Sequence, residues 1–158
     1  MSVAKLTVLA KADLPILLAW AHISEVWEYQ PTSRKNEKLN WETHVKWYEN
    51  RHDRMDFMIV FEERPVGCLH IRDLSIAFPE IGLYIGETTL WGKGVGRSAL
   101  MSGIEWVLGN AHPPIGLHAV IHPKNARSIM LFAKCGFIEK PDLATIIKMK
   151  MFRKGQNL

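Results

Sequence analysis

Apolar positions recur along this chain with two periods, and each change of period marks an element. Leu6 to Leu9 reads as a short strand, and Asp13 ahead of Pro15 is arranged to cap a helix with apolar positions Leu14, Leu17, Leu18 and Ala21. The polar stretch 30–39, QPTSRKNEKL, carries Pro31 and predicts the longest exposed loop. Asn40 then caps a second helix through Val45, Trp47 and Tyr48. The unbroken apolar run Phe57 to Phe61, the break Glu62, Glu63, Arg64 and Pro65, and the alternating stretch Val66 to Arg72 predict an antiparallel hairpin in the core.

A strand over Glu80 to Ile85 leads through a glycine turn into a helix with the apolar stripe Ala99, Leu100, Gly103, Ile104, Val107 and Leu108. After Pro113 and Pro114 come a strand at Leu117 to Ile121 and a helix capped by Asn125 and stopped by Gly136. Two closing strands follow, around Phe137 and from Ala144 to Phe152. No repeat or linker interrupts this order, so the expectation is a single α+β domain over 1–158 with a central mixed sheet.

Composition narrows the class. A chain of 158 residues with 47% apolar and 23% charged residues suits one soluble globular domain. The net charge of +4 is spread along the chain, favouring an anionic ligand without indicating nucleic acid. Cys68 and Cys135 lack metal-ligand spacing and read as core fillers in a reducing compartment, so no metal is expected. The N-terminal MSVAKLTVLAKADL lacks a signal-peptide apolar stretch, and no window is as long as a membrane span, so a cytoplasmic address without a membrane partner is expected.

The chemistry concentrates at the turn. Gly92, Gly94 and Gly96 let main chain approach a ligand, and the following helix points free N–H groups and its positive dipole end at the same place. Lys93 and Arg97 add positive charge, which suits a phosphate or pyrophosphate. Such a turn is also often only a tight connection. The chain has neither G-x-x-x-x-G-K-[ST] nor a G-x-G-x-x-G opening an early βαβ unit.

The segment EIGLYIGETTLWGKGVGRSALMSGIEW, followed by HPKNARSIMLFAKCGF, resembles the two most diagnostic stretches of the GCN5-related N-acetyltransferase (GNAT) family. The family's Q/R-x-x-G-x-G/A motif maps onto Trp91, Gly94 and Gly96, and its Asn-led helix ending in G-F maps onto Asn125 through Phe137. The W-G-K-G string is similar to the branch of ribosomal-protein and nucleotide-sugar amine acetyltransferases. The resemblance implies a mostly antiparallel sheet of about seven strands with about four helices, and acetyl-coenzyme A as acyl donor. It implies that backbone groups of Leu83, Tyr84 and Ile85 pair with the pantetheine arm. N–H groups of Gly92, Lys93, Gly94, Val95, Gly96, Arg97 and Ser98 would hold the pyrophosphate, with Asn125, Ser128 and Phe132 along the arm.

An alkylamine has a pKa of about 10 and must lose a proton before attacking a thioester, so a base is needed. Glu80 stands at the offset from Trp91 of the catalytic glutamate in histone-directed members of the family, and could act through a water. His70 and Arg72, on one face of the neighbouring strand, offer a second base and a clamp for an acidic substrate group. Phe132 stands where many members have the tyrosine that protonates the departing thiolate, leaving Tyr84, Ser128 and Cys135 as stand-ins. Trp20, Trp41 and Trp47 are expected to pack helices onto the sheet, while Trp27 and Tyr29 border the acceptor pocket and Glu25 or Glu28 meets an ammonium. A small-molecule amine is favoured: an amino sugar, a nucleotide-linked amino sugar or an aminoglycoside. A protein N-terminal amine taken between the loop 34–38 and the last strands, a non-catalytic acyl-coenzyme A sensor, and a homodimer stay open.

Overall fold

The computed structural model describes residues 2–29, 39–140 and 147–155. Within them the chain runs β1 (Lys5–Val8), α1 (Leu14–Ala21), α2 (Ser24–Trp27), α3 (Trp41–Glu49), β2 (Arg54–Phe61), β3 (Arg64–Arg72), β4 (Glu80–Ile85), α4 (Val95–Leu108), β5 (Gly116–Ile121), α5 (Ala126–Lys134), β6 (Ile138–Lys140) and β7 (Ile147–Phe152). The expected elements are present, and α2 is added: a four-residue helix is too short to show a period. Five helices are thus described where about four were expected. The expected loop 30–39 lies outside the described residues except for its last position, as does the start of the last strand at Ala144.

Local signals account for the ends. Asn40 Oδ1 accepts the Thr43 N–H at 2.9 Å, while Thr43 Oγ1 accepts the Asn40 N–H at 3.2 Å, a reciprocal cap for α3. Asp13 precedes α1 as expected, but its carboxylate accepts the Ala10 N–H at 2.8 Å, bracing the chain ahead of the helix rather than capping it. Gly136 ends α5 with φ of 95°.

The strands form one seven-stranded sheet in the order β1, β2, β3, β4, β5, β7, β6. Every pair is antiparallel except β4 with β5. Alternation divides the sheet into two faces. Phe57, Ile59, Leu69, Ile71 and Ile81 join Ala99, Leu100, Ile104 and Val107 of α4 in the larger core. Gly103 allows this close approach, because a Cβ there would lie 2.8 Å from Leu69. Met58 and Cys68 point the other way, into a smaller core with Leu17 and Trp20 of α1.

The sheet is not continuous. β4 and β5 share a single residue pair, Glu80 with His118, and then diverge. At the far end of β4 the Val66 carbonyl accepts both the Gly86 and Glu87 N–H groups, at 2.8 and 3.2 Å, a bulge that bends the strand end away from regular pairing. Past Glu80 the β5-facing edge of β4 carries no strand pairing, and cavities open on both sides of this gap.

Candidate active site

The first cavity, of about 570 Å³, runs along the end of β4, the glycine turn and the starts of α4 and α5. Gly92 and Gly94 adopt φ of 76° and 84°, which a side chain would strain even though a Cβ there would meet nothing within 4 Å. Gly94 is the N-cap of α4, so the N–H groups of Val95, Gly96 and Arg97 have no partner within the helix. Gly92, Gly94, Gly96 and Arg97 line the cavity, with Lys124 and Arg127 on the opposite wall. Trp91 stiffens the turn: its indole N–H donates to the Ile85 carbonyl at 2.9 Å, and the Arg127 guanidinium lies 4.1 Å above its ring. These residues fit a diphosphate, with free main-chain donors at a helix start and cations on both sides.

The expected cofactor positions differ in what they present to the groove. The Ser98 N–H is bonded to the Gly94 carbonyl at 3.1 Å, and the Ser98 hydroxyl accepts the Ala4 N–H at 2.9 Å, so neither is aimed at a ligand. Val95 offers only its amide, its side chain being buried in the core, and Lys93 does not line the groove. The Ile85 carbonyl accepts from Trp91, and Leu83, Tyr84 and Ile85 all line the groove at the gap.

The second cavity, of about 210 Å³, lies on the α1 and α3 side of the sheet. Strand alternation points His70, Arg72, Glu80, Gly82 and Tyr84 into it, with Arg54 and Asp56 from β2. Register explains the cluster: Asp56 stands opposite His70, His70 opposite Gly82, and Arg72 opposite Glu80. The buried Asp56 carboxylate accepts Arg51 Nη1 at 2.8 Å, Arg54 Nε at 2.9 Å and Arg54 Nη2 at 2.6 Å. The Arg51 guanidinium in turn lies 4.1 Å above the Tyr48 ring. Two arginines on one buried carboxylate leave this wall positive.

Glu80 sits among three cationic or basic groups. Arg72 Nη2 donates to its Oε1, His70 Nε2 lies 3.7 Å from Oε1, and His118 Nε2 lies 3.8 Å from Oε2. Burial pushes its pKa up, but the hydrogen bonds and charges of His70 and Arg72 outweigh that and hold it at about 2, below the ordinary 4.5. A carboxylate so stabilised in its ionised form is a weak base at neutral pH, which argues against Glu80 as the general base. The His70 ring rests on Gly82, where an added Cβ would meet it at 2.6 Å. His70 Nε2 is buried 3.7 Å from Glu80 Oε1 without a hydrogen-bond partner among the described residues, and the residue lines the cavity.

Trp27 and Tyr29 line this pocket as expected, and the Trp27 ring packs 5.0 Å from Tyr84. Glu25 and Glu28 line the first cavity instead. Trp20 is buried, whereas Trp41, expected to pack on the sheet, is 49% exposed. Trp47 lines the pocket and stacks on His44. Phe132 is buried against Phe137, and Cys135, buried with its thiol pushed up by that burial, lines neither cavity and is removed as a proton donor. Asn125 caps α5 by accepting the Ser128 N–H at 3.2 Å. Asn125 and Ser128, with Tyr29, Leu83 and Tyr84, belong to both cavities, which therefore meet across the gap. Arg54, Asp56, His44, His118 and His122 escaped sequence reading, because only strand register and the return of α5 bring them here.

Among the described residues, no cluster of His, Cys, Asp and Glu could hold a metal ion, and no helix is long and apolar enough to cross a membrane. A family model described as an acetyltransferase (GNAT) domain matches residues 5–138. An uncharacterised protein of Methanocaldococcus jannaschii is 35% identical over 129 residues, 79% of this chain, and the chain spans only 26% of that relative's length. A domain from M. jannaschii, solved by crystallography, is similar with a TM-score of 0.87 at 30% identity, covering 97% of this chain and 100% of that domain. The aminoglycoside acetyltransferase AAC(6')-Ib, solved with paromomycin and acetyl-coenzyme A, shares the fold with a TM-score of 0.82 at 17% identity, over 96% of this chain and 94% of its own.

Proposed function

The chain belongs to the GNAT acetyltransferases, and we propose that it moves the acetyl group of acetyl-coenzyme A onto the primary amine of a small molecule. One observation carries this reading. Two cavities of different chemistry meet at the gap between β4 and β5, one lined by free main-chain donors and the other by titratable side chains. The donor's diphosphate would rest on the N–H groups of Val95, Gly96 and Arg97, its arm would follow the free edge of β4, and the thioester would reach the junction at Leu83, Tyr84 and Asn125. AAC(6')-Ib, with the same fold, was solved with both acetyl-coenzyme A and an amine-bearing ligand.

His70 is the base this reading favours. The ionised Glu80 carboxylate, 3.7 Å from Nε2, favours the tautomer with its proton there, so Nδ1 would carry the lone pair that takes the amine's proton. The C–N bond then forms at the thioester carbonyl as the C–S bond breaks, and the nitrogen sheds its second proton to solvent. An alkyl thiol has a pKa of about 8.5, so the sulfur can leave as a thiolate. Glu80 is thus a positioning residue, and the positive charge gained by His70 faces its carboxylate.

The pocket lining also favours one acceptor class. Its two carboxylates, Asp56 and Glu80, face three arginines, Arg51, Arg54 and Arg72, so this wall keeps a net positive charge that disfavours a second ammonium. A polycationic aminoglycoside therefore fits less well than a nucleotide-linked amino sugar, which has one amine and an anionic group for the Arg54 and Arg72 side. The test mixes protein and acetyl-coenzyme A with a nucleotide-linked amino sugar, an aminoglycoside or a peptide with a free N-terminus, and follows free thiol. Release is expected with the first. Release with the peptide alone would assign a protein N-terminal acceptor, and tight donor binding without release in any arm would assign an acyl-coenzyme A sensor.

A further inference from the structure

We infer that His122 is a hydrogen-bond donor to the departing sulfur, filling the role that Phe132 cannot perform. The inference rests on the acetyl-transfer reading above. His122 directly follows β5, at the mouth of the gap, and lines the acceptor pocket beside Asn125, Ser128 and Phe132. Its Nδ1 accepts the Lys124 main-chain N–H at 3.1 Å. A main-chain amide can only donate, so Nδ1 carries the lone pair and the proton of the neutral ring sits on Nε2. The ring is held in place: it packs 5.2 Å from the Tyr29 ring, and the His122 carbonyl accepts the Asn125 N–H at 2.9 Å, fixing the turn that leads into α5.

His70 and His122, both lining the pocket, are therefore set in opposite senses. The Glu80 carboxylate, 3.7 Å from His70 Nε2, favours the proton there and Nδ1 as acceptor, whereas the Lys124 N–H makes Nδ1 of His122 the acceptor and leaves Nε2 to donate. His122 need not give up its proton. Donating Nε2–H to the sulfur stabilises the negative charge that grows there as the C–S bond breaks, and the proton that completes the thiol then comes from water. The ammonium's proton goes to His70 before attack, the nitrogen's second proton passes to solvent as the amide forms, and solvent returns one to the sulfur, so one proton is released per acetyl transferred.

Three variants test this, assayed on the full chain by thiol release with coenzyme A affinity and melting temperature measured alongside. The side-chain amide nitrogen of a glutamine reaches where Nε2 stands, while asparagine reaches only the position of Nδ1. H122N and H122F are expected to lose about 100-fold in kcat with coenzyme A affinity unchanged, and H122Q to stay within about tenfold of the parent. Unchanged kcat in H122N and H122F, a glutamine variant as impaired as the phenylalanine one, or loss of kcat matched by loss of coenzyme A affinity would each overturn the assignment. If the unmodified protein releases thiol with no amine, the acetyl-transfer reading fails first and His122 falls with it.

Discussion

The groove beside the glycine turn and the pocket across the gap are made of different materials. The groove offers main-chain groups at its phosphate end, namely two left-handed glycines and the first amides of one helix, beside the edge of one strand, with cationic side chains around them. Its recognition needs little beyond a backbone path, so it depends on a few consecutive residues. The pocket is built from side chains of β2, β3 and β4, of helices α1 to α3, and of the chain between β5 and α5. Its chemistry exists only when register sets Asp56, His70 and Gly82 in one row and Arg72 beside Glu80. Substitutions in the groove should therefore act on donor binding, and those in the pocket on turnover.

Breaking this separation calls for the largest effects first. Gly94→Asp adds a Cβ at φ of 84° and a carboxylate beside the phosphate site, and is expected to weaken coenzyme A binding about 100-fold or more by calorimetry. Binding at the parent affinity would place the diphosphate elsewhere. His70→Phe should cost about 100-fold in kcat with donor affinity preserved, and Gly82→Val should mimic it, because its Cβ would occupy the space of the His70 ring. A shared loss of donor affinity would merge the two regions.

Glu80→Gln is expected to lower kcat about tenfold, since it loosens the hold on His70 without removing the ring. It also carries a pH signature. The folded pKa of Glu80 lies below its ordinary value, so its contribution to stability is complete above 4.5 and is lost as pH falls toward 2. Melting curves across that acidic window should flatten in the glutamine variant, and equal slopes would deny the ion pair. The smallest effect belongs to Gly96→Ala. Its Cβ would meet Leu131 at 3.4 Å and Leu83 at 3.8 Å, so coenzyme A affinity should stay within about twofold.

Legibility in the sequence follows the same division. β4, the glycine turn, α4 and the Asn125 cap of α5 were readable because period, cap and left-handed glycine are written in adjacent residues. The groove came with them, apart from the Ser98 and Ile85 groups, whose partners Gly94 and Trp91 are visible only in three dimensions. In the pocket, the shared face of His70 and Arg72 was readable from alternation. The depression of Glu80 was not, because it depends on Arg72 standing opposite it across two strands. Arg54 and Asp56 gave no signal: a charged residue every second position at a strand start looks like a solvent face, yet Asp56 is 2% exposed.

The single rung between Glu80 and His118 divides the sheet mechanically into two plates, one of β1 to β4 and one of β5 to β7. A molecule lying along that seam acts as a splint. Thermal resistance should then climb with coenzyme A concentration, by about 2.7 kcal/mol at a hundredfold excess over Kd. Hydrogen exchange should slow most at amides on the two sides of the seam, β4 and β5, rather than in the already paired hairpin of β2 and β3.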